Sequence, residues 1–206
     1  DAAYASCERD VRRHYENFPV ASLLVPRPMR RHVAAVYAFA RAADDLADEG
    51  ARTVGERHAL LDGWLCRLRR AAVSDQPGEA PAPGEPSNTV AIFLALGASI
   101  RERALPVELL EQLVSAFRQD VTVHRYATWA ELLDYCRRSA NPVGRLMLCL
   151  YGSPLAQNLS HSDAICSSLQ LINFLQDIAI DYRKGRIYLP QEEMARFGIT
   201  EAHIAT

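Results

Sequence analysis

The chain has 206 residues, of which 49% are apolar and 23% are charged, and its formal net charge is −2. This length accommodates one sizeable core but not clearly two, and the balanced charge excludes bulk attraction to nucleic acid. The five cysteines include no C-x-x-C pair, which argues against a zinc site or a disulfide framework and favours a reduced, cytoplasmic compartment.

Helical periodicity begins near Arg30, where apolar residues recur three or four positions apart as far as Ala47. A proline- and glycine-rich stretch at 74–88 predicts a mobile surface loop inside one domain that covers residues 1–206. No stretch alternates with the two-residue period of a strand. Further helical patterns lie at 54–73, 89–103, 107–120, 128–138, 142–152 and 162–184. We therefore predict a single all-α domain.

The sequence predicts no signal peptide and no membrane span. No N-terminal stretch joins a basic start to an apolar run and a small-residue cleavage site. The longest apolar run, at 90–100, is shorter than the about 20 residues that cross a bilayer. The chain starts at Asp1 without a methionine, so we expect part of the native start to be missing. The arginine-rich segment 27–31 fits either peripheral contact with an anionic membrane surface or an ordinary solvated face.

The pattern Asp-x-x-x-Asp occurs twice, at Asp44 with Asp48 and at Asp177 with Asp181. On a helix, positions i and i+4 share one face with their Cβ atoms about 5–6 Å apart, so each pair directs two carboxylates to one place. Like charges at that spacing are repulsive, and Mg²⁺ held jointly by carboxylates and substrate phosphate oxygens would offset the repulsion. The second pair lies in an otherwise apolar stretch, where charges must face a partner or a wet cavity.

A single copy of this pattern is most often a solvated acidic face. Two copies on apolar helices, the second preceded by Gln170 and Asn173, favour a cavity between two facing helices. Four carboxylates with hydrocarbon walls suit a substrate with a diphosphate head and a long apolar tail. Asp120 and the neighbouring segment 124–126 fit either polar contacts at the site or a solvated helix end, and we favour the solvated helix end.

Three ordered stretches resemble the squalene and phytoene synthase family. "YAFARAADDLADE" at 37–49 and "QLINFLQDIAIDYRKGRIYLP" at 170–190 resemble its two aspartate-rich motifs. "YCRRSANPVGRLML" at 135–148 is similar to a third landmark, and "HYENFPVASLLVPRPMRRHVAAVYAFAR" looks most like the branch of bacterial hopanoid pathways. The resemblance implies an isoprenoid synthase helical bundle with a central cavity. Relatives run some 70–80 residues longer, and so the C-terminal helices of that fold are expected to be missing.

The resemblance assigns roles to individual residues. It makes Asp44, Asp48, Asp177 and Asp181 catalytic Mg²⁺ ligands. Asp45 with Glu49 forms an alternative first pair. We prefer Asp44 and Asp48, because Arg41, three residues before Asp44, then matches a family arginine that contacts diphosphate. The remaining expected substrate-binding residues are Tyr37, Phe18, His14, Gln170, Asn173, Arg186 and Arg138.

Two positions depart from the family pattern, and one segment has an open interpretation. Gln176 stands where squalene- or phytoene-forming members usually have arginine, and Arg138 stands where many have an aromatic residue. His14 and Phe18 fit a wall that handles diphosphate and water, and equally fit ordinary packing. An apolar wall for a carbocation is expected from Phe18, Leu23, Tyr37, Val143, Leu146 and Phe174.

What the resemblance implies is Mg²⁺-dependent conversion of presqualene diphosphate to hydroxysqualene, in which the diphosphate ionises, the cation rearranges and water ends the reaction. Association with other enzymes of the squalene pathway is a further expectation. The alternatives are condensation of two prenyl diphosphates to presqualene diphosphate or phytoene, and a non-catalytic helical lipid-binding protein. No G-x-G-x-x-G fingerprint of a dinucleotide site occurs in the sequence.

Overall fold

The computed structural model describes residues 2–13, 25–76 and 78–205. Every regular element of the described residues is a helix and none is a strand, which confirms the all-α prediction. One isolated β-bridge joins Arg125 to Ile187. No helix of the described part is long and apolar enough to cross a membrane. The helices are α1 (Ala2–Arg13), α2 (Arg27–Asp48), α3 (Val54–Val73), α4 (Thr89–Arg103), α5 (Val107–Asp120), α6 (Trp129–Ser139), α7 (Asn141–Leu150), α8 (Ala156–Gln176), α9 (Ile178–Arg183), α10 (Gln191–Arg196) and α11 (Glu201–Ile204).

Helix boundaries follow local capping chemistry. Pro26 and Pro28 flank the start of α2, where a missing N–H group costs no intrahelical hydrogen bond. Thr53 and Glu56 cap α3 reciprocally: the Thr53 N–H donates to the Glu56 carboxylate at 2.7 Å, and the Thr53 hydroxyl accepts from the Glu56 N–H at 3.3 Å. The four acids of the first motif then lie at the C-terminal end of α2, as the sequence predicts.

The main core lies among helices α1 to α5. Its centre is an aromatic cluster in which Phe39 of α2, Trp64 of α3 and Phe93 of α4 pack with ring centroids 4.6–5.9 Å apart. A second, smaller cluster joins α5, α6 and α8 through Ala116, Tyr135 and Phe174, together with Tyr126 from the connection between α5 and α6. Helix α2 therefore packs against the main core on one side and bears Asp44 and Asp48 near its C-terminal end.

The segment 74–88 is irregular, as predicted, but it is attached to α3 at several points. The Arg67 guanidinium donates to the carbonyl oxygens of Glu79 and Ala80, both at 2.9 Å. Arg67 also forms an ion pair of 2.9 Å with Glu85, whose side chain is only 2% exposed. Mobility of this loop stays a prediction.

The predicted helix 162–184 is wrong in one respect, because the structure divides it at Asp177. Helix α8 begins earlier, at Ala156, and ends at Gln176, and α9 resumes at Ile178. Asp177 has φ −99° and ψ 9°, outside the helical range. The apolar pattern is continuous across this point and contains no proline or glycine, so periodicity gives no sign of the break.

Candidate active site

The first carboxylate pair lines a cavity of about 400 Å³ between α2, α5, α6 and α8. Asp44 and Asp48 both face this cavity, one helical turn apart. Asp45 lines a separate, smaller cavity, and its carboxylate lies 3.0 Å from Nε of Arg41. Glu49 is exposed at the end of α2. The structure therefore gives Asp44 and Asp48, rather than Asp45 and Glu49, access to a ligand in the large cavity.

The second pair reaches the same cavity from the opposite wall. Asp177 lies at the break after α8, and Asp181 lies one turn later on α9. Gln170 and Asn173 of α8 line the cavity on the same face. The two motifs, more than 120 positions apart in the sequence, thus contribute all four predicted carboxylates to one space.

Arg186 connects the two motifs. Its guanidinium donates two hydrogen bonds to the Asp48 carboxylate, at 2.7 and 2.5 Å, and both side chains are 13% exposed. A third bond of 3.2 Å goes to the backbone carbonyl of Asp120. Lys184 lies 3.6 Å from Asp48. Arg186 belongs to a short extended segment in which Ile187 is buried at the β-bridge, while Arg186 and Tyr188 both face the cavity.

The pKa values of the cavity acids shift in different directions, because burial and mutual repulsion raise some of them and Arg186 lowers another. Burial, followed by repulsion from Asp48, raises the pKa of Asp44 to about 7. Burial, followed by repulsion from Asp177, raises the pKa of Asp181 to about 6. Burial also acts to raise the pKa of Asp48, but hydrogen bonds and charge from Arg186 outweigh it and lower this pKa. The cavity therefore favours added positive charge near Asp44 and Asp181.

Asp120 lines the cavity, in contrast to the interpretation that the sequence favoured. Its side chain is 4% exposed, so the interpretation of a solvated helix end is wrong. The Tyr135 hydroxyl donates to Oδ2 of Asp120 at 2.6 Å, and Oδ1 has no hydrogen-bond partner within the described ranges. Burial raises the pKa of Asp120 to about 7. The spacing of Asp120 from Leu113 and Ala116 on the core face of α5 is the signal that could have revealed it.

An aromatic wall adjoins these acids. The rings of Phe174 and Tyr188 stack with centroids 4.0 Å apart and an interplanar angle of 7°. Tyr135 lies 5.8 Å from Tyr188, and Tyr37 lines the cavity from α2. Of the expected wall residues, Tyr37 and Phe174 line the cavity, whereas Val143 and Leu146 pack with the main core. Phe18, Leu23 and His14 lie outside the described residues.

The other substrate-binding candidates divide into two groups. Arg41 lines the cavity and the adjoining small one, while Arg138 lines neither. The Arg138 guanidinium donates to Gln119 Oε1 at 2.6 Å and to Asp134 Oδ2 at 3.0 Å. Arg138 is therefore engaged between α5 and α6 rather than presented to a ligand.

The donor set fits Mg²⁺ in the way that diphosphate sites do. No group of three or more histidine, cysteine, aspartate or glutamate side chains in the described part of the chain is close enough to hold an ion unaided. Each wall instead offers carboxylate oxygens in pairs. Burial and then mutual repulsion raise the pKa of Asp44 and of Asp181, so a nearby cation would favour their charged forms. Mg²⁺ commonly takes one or two carboxylates and completes its shell with phosphate oxygens and water.

Comparison with known proteins identifies the family. The chain is 40% identical over 187 residues to hydroxysqualene synthase of Zymomonas mobilis and 39% identical over 184 residues to that of Rhodopseudomonas palustris, covering 90% and 89% of this chain. It spans 58% of the length of each. The solved structure of squalene synthase HpnC from Alicyclobacillus acidocaldarius superposes with a TM-score of 0.83 at 42% identity, covering 98% of this chain and 72% of that one. Residues 11–206 match the squalene/phytoene synthase family. The chain belongs to that family.

Proposed function

We propose that this chain is part of a Mg²⁺-dependent enzyme that converts presqualene diphosphate to hydroxysqualene. The observation that supports this most directly is the meeting of Asp44, Asp48, Asp177 and Asp181 with Arg186 at one cavity beside aromatic rings. Hydrocarbon and aromatic walls suit a polyprenyl tail, and paired acids beside a guanidinium suit a metal-bound diphosphate.

In the proposed reaction the residues of the two walls bind and orient the diphosphate. Asp44, Asp48, Asp177 and Asp181 would hold Mg²⁺, which would supply Lewis-acid withdrawal of charge from the diphosphate. Arg41 and Arg186 donate from their guanidinium groups to the same oxygens, and Gln170 and Asn173 offer amide donors on the opposite wall. The stacked Phe174 and Tyr188 rings line the cavity and supply an aromatic wall beside the hydrocarbon.

Arg186 changes partner in this scheme. Its guanidinium is bound to both oxygens of Asp48 in the structure described above. Movement of one or both hydrogen bonds to diphosphate would release Asp48 for Mg²⁺. Substrate binding and metal binding at this wall are therefore expected to be mutually dependent.

The relatives favour the hydroxysqualene branch over condensation. Three hydroxysqualene synthases are 36–40% identical to this chain, compared with 34% for presqualene diphosphate synthase of Rhodopseudomonas palustris and 30% for 15-cis-phytoene synthase of Synechococcus elongatus. Condensation of two prenyl diphosphates is the second candidate because these relatives share the family. A lipid-binding protein would have no use for four acids at one cavity.

The associations expected from the sequence stay predictions, namely a cytoplasmic protein in peripheral contact with a membrane and with other pathway enzymes. Arg30 donates from Nε to the carbonyl of Val25 at 2.8 Å, and Arg31 forms an ion pair of 2.7 Å with Glu102. These internal contacts favour the solvated-face interpretation of the segment 27–31 over a membrane-binding one.

The function is tested by incubating the 206-residue chain and the complete gene product with presqualene diphosphate or farnesyl diphosphate, with and without Mg²⁺. The lipid products are identified by mass spectrometry. We expect hydroxysqualene from presqualene diphosphate with Mg²⁺ only, and no consumption of farnesyl diphosphate. Consumption of farnesyl diphosphate would assign the protein to the condensing branch, and tight lipid binding without turnover by the complete gene product would support a binding protein.

A further inference from the structure

Asp120 combines burial, cavity access and an unsatisfied oxygen in a way that no other acid of the described cavity does. It is the last residue of α5, and its side chain lines the cavity while being 4% exposed. Oδ2 accepts the Tyr135 hydroxyl at 2.6 Å, whereas Oδ1 has no partner among the described residues. A buried carboxylate oxygen without a partner costs free energy, so the site favours a small molecule that can donate to it.

The chemistry of the proposed reaction limits which molecule this is. The metal-bound diphosphate offers further acceptor oxygens, whereas Oδ1 of Asp120 needs a donor. The prenyl tails have no O–H or N–H group to donate. Water is small, donates two protons and is the second reactant, and a polar pocket with several hydrogen-bonding groups is where proteins hold ordered water. The Asp120 backbone carbonyl is already engaged by Arg186 at 3.2 Å, which fixes this end of α5 beside the expected leaving group.

We propose that Asp120 holds the water molecule that ends the reaction and accepts its proton, which makes Asp120 a catalytic residue. This inference rests on the proposed formation of hydroxysqualene. The lone pair of the water oxygen forms a C–O bond with the rearranged allylic cation, and one O–H bond of the water breaks. The proton passes to Oδ1 of Asp120, so a cation and a carboxylate become a neutral alcohol and a carboxylic acid. No oxidant or reductant is required.

Tyr135 is assigned a positioning role in the same step. Its hydroxyl fixes Oδ2, so Oδ1 is the oxygen left for water. The Tyr135 ring lies 5.5–6.1 Å, between ring centroids, from the rings of Tyr126, Phe174 and Tyr188. These rings exclude further water from that side, which restricts the cation to one nucleophile. The raised pKa of Asp120, about 7, lets the carboxyl exchange a proton near neutral pH.

The test separates ionisation from the fate of the cation. Wild type, Asp120→Asn, Tyr135→Phe and the surface control Asp75→Asn are given presqualene diphosphate and Mg²⁺, as the 206-residue chain and as the complete gene product. Diphosphate release and the lipid products are measured in the same samples, with ¹⁸O-labelled water to trace the hydroxyl oxygen. Circular dichroism establishes that each variant is folded.

For Asp120→Asn we expect diphosphate release within about tenfold of wild type, while the alcohol falls at least tenfold as a fraction of product and elimination products replace it. Tyr135→Phe is expected to shift the product in the same direction by a smaller factor, and Asp75→Asn to leave both measurements unchanged. An unchanged alcohol fraction in Asp120→Asn overturns the proposal. An equal fall in diphosphate release and alcohol also overturns it, because Asp120 then acts in metal binding or ionisation.

Two further outcomes are distinguishable. If wild type releases diphosphate but forms no hydroxysqualene, the proposed function fails and the water role of Asp120 fails with it. If wild type forms hydroxysqualene and Asp120→Asn does not fold, the test rests on Tyr135→Phe. An unchanged alcohol fraction in Tyr135→Phe then overturns the proposal.

Discussion

The ion pair between Arg186 and Asp48 is a buried contact between residues 138 positions apart in the sequence. A guanidinium suits this place because its planar fork matches both carboxylate oxygens at once, which the ammonium group of lysine cannot do. Because both charges lose their hydration, such a pair contributes little net free energy to stability. Removal of one partner is nonetheless costly, since it leaves a buried charge uncompensated. Arg186 therefore has a structural role in addition to its proposed contact with diphosphate.

We predict that Arg186→Gln lowers the free energy of unfolding of the metal-free chain by roughly 2–3 kcal/mol, somewhat below the about 3–5 kcal/mol of a fully buried pair. Urea denaturation measures this change. The control is Arg69→Gln, which breaks an exposed pair with Glu111 of 2.7 Å and should cost less than about 1 kcal/mol. Equal effects of the two substitutions would contradict the structural role.

The two candidate registers of the first motif give different predictions for activity. Asp44→Asn removes a carboxylate from the cavity and should lower the Mg²⁺-dependent rate at least about 100-fold. Even the loss of residues that only orient metal ligands lowers metal affinity or activity about 10–100-fold. Glu49→Gln changes an exposed acid outside the cavity and should stay within about threefold of wild type. Steady-state assays over a range of Mg²⁺ concentrations measure both. A larger loss in Glu49→Gln would favour the Asp45 and Glu49 register.

The pKa of Asp120 predicts a dependence of stability on pH. It is raised from 3.8 in the unfolded chain to about 7 by burial, so the folded state binds this proton more tightly. The resulting stability is present below the unfolded value and is lost as pH rises towards 7. The free energy of unfolding of Asp120→Asn relative to wild type should therefore rise between pH 5 and pH 8 by at least about 1.4 kcal/mol, the value of one pKa unit. Urea denaturation at both pH values tests this, and a constant difference would contradict it.

At the scale of whole helices, apolar periodicity was sufficient for α2 to α7, whose predicted ranges agree with the structure to within a few residues. Periodicity reports which face of a segment is buried, and these helices are amphipathic or buried against a continuous core. It missed the break at Asp177, because the surrounding residues are apolar on both sides. The location of Asp120 was missed for a related reason: the last polar residue of a helix resembles an ordinary solvated end.

Gly97 predicts how closely two helices must approach. A Cβ atom at this position of α4 would overlap the backbone carbonyl oxygen of Ala71 on α3, which cannot move aside as a side chain can. Gly97→Ala should therefore destabilise the fold by about 1–3 kcal/mol, the usual cost of overpacking. Gly55→Ala in α3 is the matched control, since nothing lies within 4 Å of its added Cβ. It should be neutral or stabilise by up to about 1 kcal/mol. Thermal denaturation distinguishes the two, and equal melting temperatures would contradict the prediction.

At the scale of the molecule, helix α8 has two faces of different character. One face presents Gln170 and Asn173 to the cavity. On the other face, Ile165, Leu169, Ile172 and Leu175 are exposed. Ordinary monomers expose apolar residues singly. A contiguous apolar stripe such as this one is a common site of protein–protein association. The chain spans 58% of the length of the two hydroxysqualene synthases named above.

We predict that the 206-residue chain self-associates through this stripe. Size-exclusion chromatography with light scattering should show a mass that increases with protein concentration. The double substitution Ile165→Glu and Ile172→Glu should abolish the increase, because charge on the stripe opposes its burial. The control is Val73→Glu, an exposed residue at the end of α3, away from the stripe. Association that persists in the double variant would assign it to another surface.

The sequence was sufficient to predict the fold class and the meeting of the four acids, because two repeated motifs in a recognisable order constrain the whole bundle. The contacts made by Arg138 and the aromatic wall of Tyr135 and Tyr188 were not predictable in this way. They depend on how α5 and α6 pack and on the path of the chain after α9, which are tertiary properties without a local signal.

The short extended segment after α9 restricts how the length of the chain can change. Arg186 and Tyr188 face the cavity and Ile187 faces the core because successive side chains of an extended backbone point to opposite sides. The Ile187 N–H group donates to the His124 carbonyl at 3.0 Å and fixes that alternation. Insertion or deletion of one residue beside this contact would turn the guanidinium and the tyrosine ring away from the cavity together. Substitutions here change one contact each, whereas a shift in register would remove both.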